Sequence, residues 1–210
     1  EKNYRFLPLR ALAFANSSTG NFGCKVGLVG LGAIGKMVAE RLKALDVEVY
    51  ACDPFIPEET AKELGVTLVD METLFSTCDI ISNHLANKPE LENIFNAKLF
   101  RKMKKRSTFI NTGRGALIDT QALVHALKHQ EIGGAALDVY EEESKYFFND
   151  WSANVISDDI LARLLTFPNV LITSHQAFLT TNALENIAEV TLNNVKDFAN
   201  DIELKNKVFI

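Results

Sequence analysis

Hydrophobic residues along this chain form short apolar runs that alternate with longer amphipathic stretches. About seven such runs lie between Cys24 and Ser174, and each is almost continuously apolar. Runs of this kind predict strands buried on both faces, as in a parallel sheet that is covered by helices. The predicted strands are residues 25–30, 47–53, 66–70, 79–85, 107–112, 133–140 and 169–174.

The stretches between these runs have helical spacing. In residues 33–46, for example, Ile34, Val38 and Leu42 fall on one stripe. Strands that alternate with helices predict an α/β fold, a doubly wound parallel sheet of the Rossmann-like kind. The further predicted helices are residues 57–65, 71–78, 89–103, 119–130 and 180–201. Residues 141–159 interrupt the rhythm as a long irregular stretch, which in a compact domain is typical of a functional insertion or lid.

Composition narrows the class of partner. The 210 residues carry a net charge of −5, which argues against nucleic acid as the main partner because phosphate binding needs clustered Lys and Arg. No apolar stretch has the length of a membrane span. The three cysteines, Cys24, Cys52 and Cys78, have no CxxC spacing, so we interpret them as reduced thiols of a cytoplasmic protein and predict no metal site.

A glycine-rich turn follows the first predicted strand. Gly30, Gly32 and Gly35 form G-x-G-x-x-G at the start of a predicted helix, the context that a dinucleotide site requires. The turn, including Ala33 and Ile34, would hold the pyrophosphate at the helix N-terminus. Asp53 ends the second strand, where its carboxylate can accept hydrogen bonds from the adenine ribose and would repel a 2′-phosphate. These features predict NAD as the cofactor.

Chemically active residues follow three other strands. Arg114 comes after residues 107–112, Asp138 and Glu143 come at and after the end of the next strand, and His175 follows residues 169–174. Each alone has a simpler explanation: a surface arginine at a turn, a solvated acidic loop, a structural histidine. Together, however, they lie past separate strands of one parallel sheet and therefore face the rim that holds the cofactor. An arginine there can hold a carboxylate, and a histidine beside an acid can give a proton near neutral pH.

These segments resemble the D-2-hydroxyacid dehydrogenases, and most closely the fermentative D-lactate dehydrogenases among them. The resemblance covers roughly residues 25–199 and is carried by "GLGAIG", "NTGRGALIDTQALVHAL", "AALDVYEEE" and "SHQAFLT". It implies an oxidoreductase that passes a hydride between NADH and C2 of a small 2-keto acid such as pyruvate. The family also implies a cytoplasmic homodimer that joins through its cofactor domains.

The resemblance also implies roles for single residues. His175 would be the catalytic acid/base, Glu143 the partner that raises its pKa, and Arg114 the clamp on the substrate carboxylate and carbonyl. Asp138 would lie near the nicotinamide ring. His84 and Thr112, which follow two of the predicted strands, would line the cofactor. His125 and His129 are spaced i, i+4 on a helix, and with no third ligand evident we interpret them as a solvated face.

Several features depart from the family pattern. Only about twenty residues precede the predicted cofactor domain, where the family has most of a substrate domain. Residues 83–90, "NHLANKPE", differ from the proline-bearing loop that commonly follows the fourth strand in the family, and Gly113 stands where a serine is common. We therefore expect an atypical N-terminal arm over residues 1–21, an NAD-binding domain over 22–177, and over 178–210 a helix and tail that are a remnant of the substrate domain.

Three functional hypotheses follow. The leading one is an NAD-dependent D-lactate dehydrogenase, and the alternative is a truncated, catalytically impaired NAD-binding module that lacks the lobe closing over the substrate. A corepressor-like interaction protein on the same fold is a third class, for which the sequence offers no recruitment motif.

Overall fold

The computed structural model describes residues 23–45, 47–151 and 154–207. The chain divides into two compact units, Glu1–Ser174 and His175–Ile210. The predicted arm over residues 1–21 lies outside the described residues.

Within the described part of the first unit, seven strands form one sheet, and all of them run parallel. Their order, β3-β2-β1-β4-β5-β6-β7, confirms the predicted doubly wound sheet. The order reverses between β1 and β4, and in such sheets a ligand crevice opens there, beyond the C-terminal ends of the strands. The strands are β1 (Lys25–Val29), β2 (Glu48–Cys52), β3 (Thr67–Leu68), β4 (Ile80–Asn83), β5 (Thr108–Asn111), β6 (Gly134–Leu137) and β7 (Val170–Ile172).

Helices connect these strands. Several of them begin at a side chain that accepts hydrogen bonds from the first N–H groups of the helix, which fixes where each one starts. The helices are α1 (Ala33–Lys43), α2 (Glu58–Leu64), α3 (Met71–Thr77), α4 (Ala97–Phe100), α5 (Thr120–Lys128), α6 (Glu143–Tyr146) and α7 (Asp159–Thr166), with 3-10 turns at Pro89–Leu91 and Gly115–Leu117.

Two hydrophobic clusters cover the sheet. The smaller cluster joins α1 and α2 to β1 and β2. The larger one joins α3, α4, α5 and α7 to the other face and contains four fully buried phenylalanines whose neighbouring ring centroids lie 5.1–6.2 Å apart. Gly27 lets α3 approach β1 closely, since a Cβ there would lie 2.6 Å from Cδ2 of Leu74. Burial on both faces explains why the strands are apolar throughout.

The predicted helix over residues 89–103 is wrong in extent. Helical structure is limited to the 3-10 turn Pro89–Leu91 and to α4, because the chain between them is drawn into the core. Phe95 is fully buried and forms a β-bridge with Ile118, which requires extended backbone. Tertiary packing here overrides helical spacing.

Residues 141–159 are also more ordered than predicted. They contain α6, and α7 begins at Asp159, whereas the sequence analysis placed no helix between residue 141 and β7. The signal was available in Asp158, a helix cap that is followed at helical spacing by Leu161 and Leu164, both buried.

The second unit contains α8 (Thr181–Ala199), which begins at the capping side chain of Thr180. The helix confirms the one predicted over residues 180–201. Its apolar stripe is exposed, at Leu184, Ile187, Val190, Val195 and Phe198. Of the helices that the structure describes, none is both long enough and apolar enough to span a membrane.

Candidate active site

The glycine-rich turn joins β1 to α1, and its three glycines have different surroundings. Gly30 has a φ of +91° and donates its N–H to the carbonyl oxygen of Cys52 at 3.0 Å. A Cβ on Gly35 would lie 2.1 Å from the carbonyl oxygen of Gly30, so only glycine lets the helix touch the turn. A Cβ on Gly32 would meet no atom within 4 Å, which leaves the backbone there open to a ligand.

The N-terminus of α1 is left without a side-chain cap. Gly32 occupies the capping position, makes no side-chain hydrogen bond, and no acidic residue lies in the first turn. The side chains of Ala33 and Ile34 are exposed there. The free N–H groups and the positive end of the helix dipole suit a phosphate group.

Asp53 fixes the same turn from the end of β2. Its Oδ2 accepts a hydrogen bond from the N–H of Leu31 at 2.7 Å, and its Oδ1 accepts one from the N–H of Phe55 at 2.9 Å. Each carboxylate oxygen has further lone pairs, so the group can still accept hydrogen bonds from ribose hydroxyls. The carboxylate therefore both holds the turn and faces the site.

A cavity of about 780 Å³ opens beside this turn, within the size range of small-molecule and cofactor sites. Four of the predicted cofactor residues line it, namely Gly30, Gly32, Asp53 and His84. The wall opposite the turn comes from the loops after β2 and β4, and includes Phe55, Leu85, Lys88 and Ile94. The ammonium of Lys88 lies 5.9 Å from the ring centroid of Phe55.

His84 stands at the inner edge of the cavity. Its backbone N–H donates to the carbonyl oxygen of Val29 at 2.8 Å. A Cβ on Gly30 would lie 3.1 Å from the carbonyl carbon and oxygen of His84. Burial lowers the pKa of the imidazole below its ordinary value of 6.5, so the ring is neutral at pH 7. Its Nε2 is buried and has no hydrogen-bond partner among the described residues, which leaves a polar atom available to a bound molecule.

Two buried asparagines link the ends of β4 and β5, where they are register partners. The Nδ2 of Asn83 donates to Oδ1 of Asn111 at 2.8 Å, and Oδ1 of Asn83 accepts from the N–H of Leu85. Asn111 also accepts from the N–H of Gly113 and donates to the carbonyl oxygen of Arg114, both at 3.0 Å. The asparagine pair thereby fixes the loop that carries the arginine.

Arg114 is exposed, and its Nη1 donates to the carbonyl oxygen of Gly113 at 2.8 Å. Thr112, just before it, is exposed as well. Gly113 is explained by its surroundings, since a Cβ would lie 2.9 Å from Nδ2 of Asn83.

Asp138 lies just past β6 and is buried. Its N–H donates to the carbonyl oxygen of Asn111 at 2.9 Å, and its Oδ1 accepts a hydrogen bond from the hydroxyl of Thr173 at the end of β7. The ends of β5, β6 and β7 are thus tied together at the edge where Arg114 begins its loop.

Glu143 opens α6, five residues after Asp138, and is half-buried. Its Oε2 accepts a hydrogen bond from the N–H of Tyr140 at 3.2 Å. Tyr140 in turn packs against the arginine loop, because a Cβ on Gly115 would lie 2.1 Å from the carbonyl carbon of Tyr140. The structure therefore brings the loops of Arg114 and Glu143 into contact.

His175 is the first residue of the second unit. Ser174 and His175 have φ angles of 56° and 52°, which are uncommon for residues other than glycine and occur often at functional sites. The meeting of His175 with Arg114 and Glu143 stays a prediction.

The other histidine pair keeps its simpler interpretation. The rings of His125 and His129 stack with centroids 4.0 Å apart, and Nδ1 of His125 lies 3.9 Å from Glu131. Within the described residues, no group of three His, Cys, Asp or Glu side chains is arranged to hold a metal ion.

Sequence reasoning missed the residues that hold the site together: Asn83, Asn111, Tyr140, Asp158 and Thr173. A signal did exist for the asparagines, since each is a polar residue that ends an otherwise apolar strand. The hydrogen bond between Tyr140 and Asp158 gave no signal, because it joins residues that lie 18 positions apart across the irregular stretch.

Comparisons with known proteins agree with this geometry. Residues 12–177 match the family described as D-isomer specific 2-hydroxyacid dehydrogenase, NAD binding domain. The chain is 46% identical over 176 residues to D-lactate dehydrogenase of Escherichia coli, which covers 84% of this chain and 53% of that protein. It is 44% identical over 184 residues to a D-lactate dehydrogenase of Curvularia clavata, with 88% and 52% covered.

A solved structure supports the same assignment. The D-lactate dehydrogenase of Lactobacillus jensenii, crystallised with NAD⁺, superposes with a TM-score of 0.79 at 34% identity, covering 89% of this chain and 56% of that one. The chain thus spans about half the length of the relatives that it matches. It belongs to the D-isomer specific 2-hydroxyacid dehydrogenases, whose NAD-binding domain it contains.

Proposed function

We propose that this chain provides the NAD-binding half of an NAD-dependent D-lactate dehydrogenase. The observation that carries the proposal is the continuous rim at the C-terminal edge of the sheet. There the glycine turn contacts the backbone of His84, and the neighbouring Asn83 is hydrogen-bonded to Asn111, which holds the Arg114 loop. Gly115 of that loop packs against Tyr140, whose N–H donates to Glu143. The names of the relatives, D-lactate dehydrogenases with 46% and 44% identity, point to pyruvate as the keto acid.

The reaction divides among three residues. When bound, NADH would supply the hydride to C2 of pyruvate, and His175 would donate the proton to the carbonyl oxygen, which would yield D-lactate and NAD⁺. Glu143 would act as the carboxylate partner of this imidazole. Arg114 binds the substrate carboxylate and polarises the carbonyl.

The cofactor is held by the other predicted residues. The first turn of α1, with Gly32, Ala33 and Ile34, receives the pyrophosphate, and Asp53 receives the adenine ribose. The cofactor supplies the hydride chemistry, while the protein supplies position and charge. His84 and Thr112 would line the cofactor, and Asp138, which accepts a hydrogen bond from Thr173, would lie near the nicotinamide ring.

The test is NADH binding followed by turnover. Titration of the chain with NADH, followed by fluorescence, is expected to show saturable binding that weakens in Asp53→Ala. Stopped-flow measurement is then expected to show NADH oxidation on mixing with pyruvate, with D-lactate as the product. Arg114→Gln and His175→Gln are the matched variants, which keep NADH binding but lose turnover. Failure to bind NADH contradicts the proposal.

A second candidate is an NAD-binding module without effective catalysis. It is favoured by the share of the relatives that the chain spans, about half. In this function the chain binds the dinucleotide but does not position and desolvate a substrate well enough for turnover, since these two effects supply much of the rate. Saturable NADH binding without pyruvate-dependent oxidation selects this candidate.

The proposal also covers the domain bounds, the cellular compartment and the oligomeric state. We place the NAD-binding domain at residues 22–177 and assign residues 178–210 to the substrate domain. We also propose a cytoplasmic homodimer, supported by the exposed apolar residues Ile34, Met37 and Leu45 on and after α1. Light scattering at several protein concentrations tests the dimer, and a monomer throughout contradicts it.

A further inference from the structure

Tyr140 stands where the two catalytic loops of the first unit meet. It is 4% exposed, and its phenol donates to Oδ2 of Asp158 at 2.7 Å. Its backbone N–H donates to Oε2 of Glu143 at 3.2 Å. Tyr140 therefore makes two hydrogen bonds: its side chain donates to Asp158, and its backbone N–H donates to the carboxylate of Glu143.

Asp158 is a rigid anchor for the phenol. Its Oδ1 accepts hydrogen bonds from the N–H groups of Ile160 and Leu161 at 2.9 and 3.0 Å, which makes it the N-cap of α7. Burial, and then the bond to Asp158, raise the pKa of Tyr140, so the phenol remains protonated and donates throughout the working pH range. The stretch between Tyr140 and Asp158, which includes Glu143, is therefore closed at its ends.

The backbone of Tyr140 also fixes the other loop. A Cβ on Gly115 would lie 2.1 Å from the carbonyl carbon of Tyr140 and 2.4 Å from the nitrogen of Glu141. The residue after Arg114 is thus in direct contact with the peptide that follows Tyr140. A displacement of Tyr140 would move both the arginine loop and the support of the Glu143 carboxylate.

We propose that Tyr140, anchored on Asp158, is a positioning residue that sets the Glu143 carboxylate relative to the Arg114 loop. The catalytic part of this inference rests on the proposed function, whereas its structural part does not. Tyr140 and Asp158 touch neither substrate nor cofactor in this role, and act through the peptide N–H that holds Glu143.

The structural part is tested by nuclear magnetic resonance. Protonation of Glu143 removes the charge that Tyr140's amide faces, so the amide resonance of residue 140 is expected to shift as the pH is lowered. Glu143→Gln should abolish this shift, which separates it from the neighbouring carboxylates of Glu141 and Glu142. Tyr140→Phe and Asp158→Ser should reduce the shift, and serine keeps a capping oxygen for α7.

Tyr146→Phe is the matched control. It removes a phenol from the same insertion, where the hydroxyl lies 3.2 Å from Oγ of Ser157, but it leaves the support of Glu143 intact. Its amide shift at residue 140 should equal that of the wild type. The inference is overturned if Tyr140→Phe and Asp158→Ser keep the full shift, or if Tyr146→Phe reduces it as much as they do.

The catalytic part is tested by kinetics. Tyr140→Phe should lower kcat for pyruvate about 10- to 100-fold with unchanged NADH affinity, since a misplacement of about 1 Å can cost about 100-fold. The pH profile of kcat should change as well, because the Glu143 carboxylate is then less well placed in the site. Wild-type kcat and pH profile in Tyr140→Phe overturn the positioning role. If the wild type has no turnover, the proposed function fails and the amide experiment alone decides the inference.

Discussion

Gly32 and Gly35 belong to one turn but are glycines for different reasons. At Gly35 a Cβ would collide with the carbonyl oxygen of Gly30, whereas at Gly32 it would project into empty space. Gly35 is therefore required by the fold, whereas the open space beside Gly32 is where we propose that the pyrophosphate binds. The G-x-G-x-x-G spacing alone does not show which of these two reasons applies to which glycine.

This difference predicts opposite outcomes for two alanine variants. Gly35→Ala should lower the free energy of unfolding by about 1–3 kcal/mol through overpacking, although alanine normally favours helices. Gly32→Ala should change it by less than about 1 kcal/mol. It should weaken NADH binding at least about tenfold, equivalent to about 1.4 kcal/mol, because its methyl group occupies the space of the pyrophosphate. Denaturant unfolding and NADH titration of both variants measure the two effects, and equal stabilities contradict the distinction.

His84 predicts a pH dependence of stability. Its folded pKa lies below the unfolded value of about 6.5, so between the two values the unfolded chain binds more protons. The contribution of His84 is therefore complete above pH 6.5 and is lost as the pH falls toward the folded pKa. His84→Gln should flatten the decrease in the free energy of unfolding over this range, measured by denaturant unfolding. The exposed His129→Gln controls for the loss of one imidazole, and an identical flattening there contradicts the assignment.

At the scale of elements, the asparagine pair joins two strands by side chains as well as by the backbone. Asn83 and Asn111 are both fully buried and hydrogen-bonded to each other. A buried polar group that loses its partner costs about 1–3 kcal/mol. The pair therefore stabilises the sheet edge only while both members are present.

Asn111→Ala is accordingly expected to lower the free energy of unfolding by about 1–3 kcal/mol and to loosen the Arg114 loop. Adding Asn83→Ala should cost less than the sum of the two single changes, because the unpartnered amide is removed as well. Thermal unfolding of the two single variants and the double variant measures this coupling. Strict additivity would show that the pair does not act as a unit.

Sequence patterns predicted some elements better than others. The seven strands and the G-x-G-x-x-G turn were predictable because periodicity and glycine spacing are local properties. The helix over residues 89–103 was not, since Phe95 leaves helical geometry to pair with Ile118 far along the chain. The same limit applies to the site: its charged residues were visible as motifs, but the bonds between Tyr140, Glu143 and Asp158 depend on a closed loop that no spacing reveals.

At the scale of the whole molecule, α8 presents an apolar stripe with nothing buried. Among its residues, Ile187 is 51% exposed and Phe198 is 72% exposed. Contiguous exposed apolar surface of this kind marks an interaction surface or an association hazard. The chain spans about half the length of its relatives.

We therefore expect the 210-residue chain to bind a hydrophobic dye strongly. Replacing Ile187 and Val190 by Gln should lower dye fluorescence while circular dichroism shows unchanged helix content, since both side chains are exposed. Replacing Glu185 and Glu189 by Gln on the same helix serves as the polar control. If the variant with Gln at positions 187 and 190 binds the dye as strongly as the wild type, the dye-binding surface lies elsewhere.

The double engagement of Asp53 constrains how cofactor preference can change. Its two oxygens accept hydrogen bonds from the N–H groups of Leu31 and Phe55, so the acid that we propose discriminates against a phosphorylated ribose also braces the loop around it. Replacing Asp53 by a small neutral residue would relax the selectivity for NAD over NADP and would also remove the two hydrogen bonds that hold the turn. An NADP-accepting descendant would thus need a second mutation that restores the lost acceptors, which makes single-step drift between the two coenzymes improbable for this lineage.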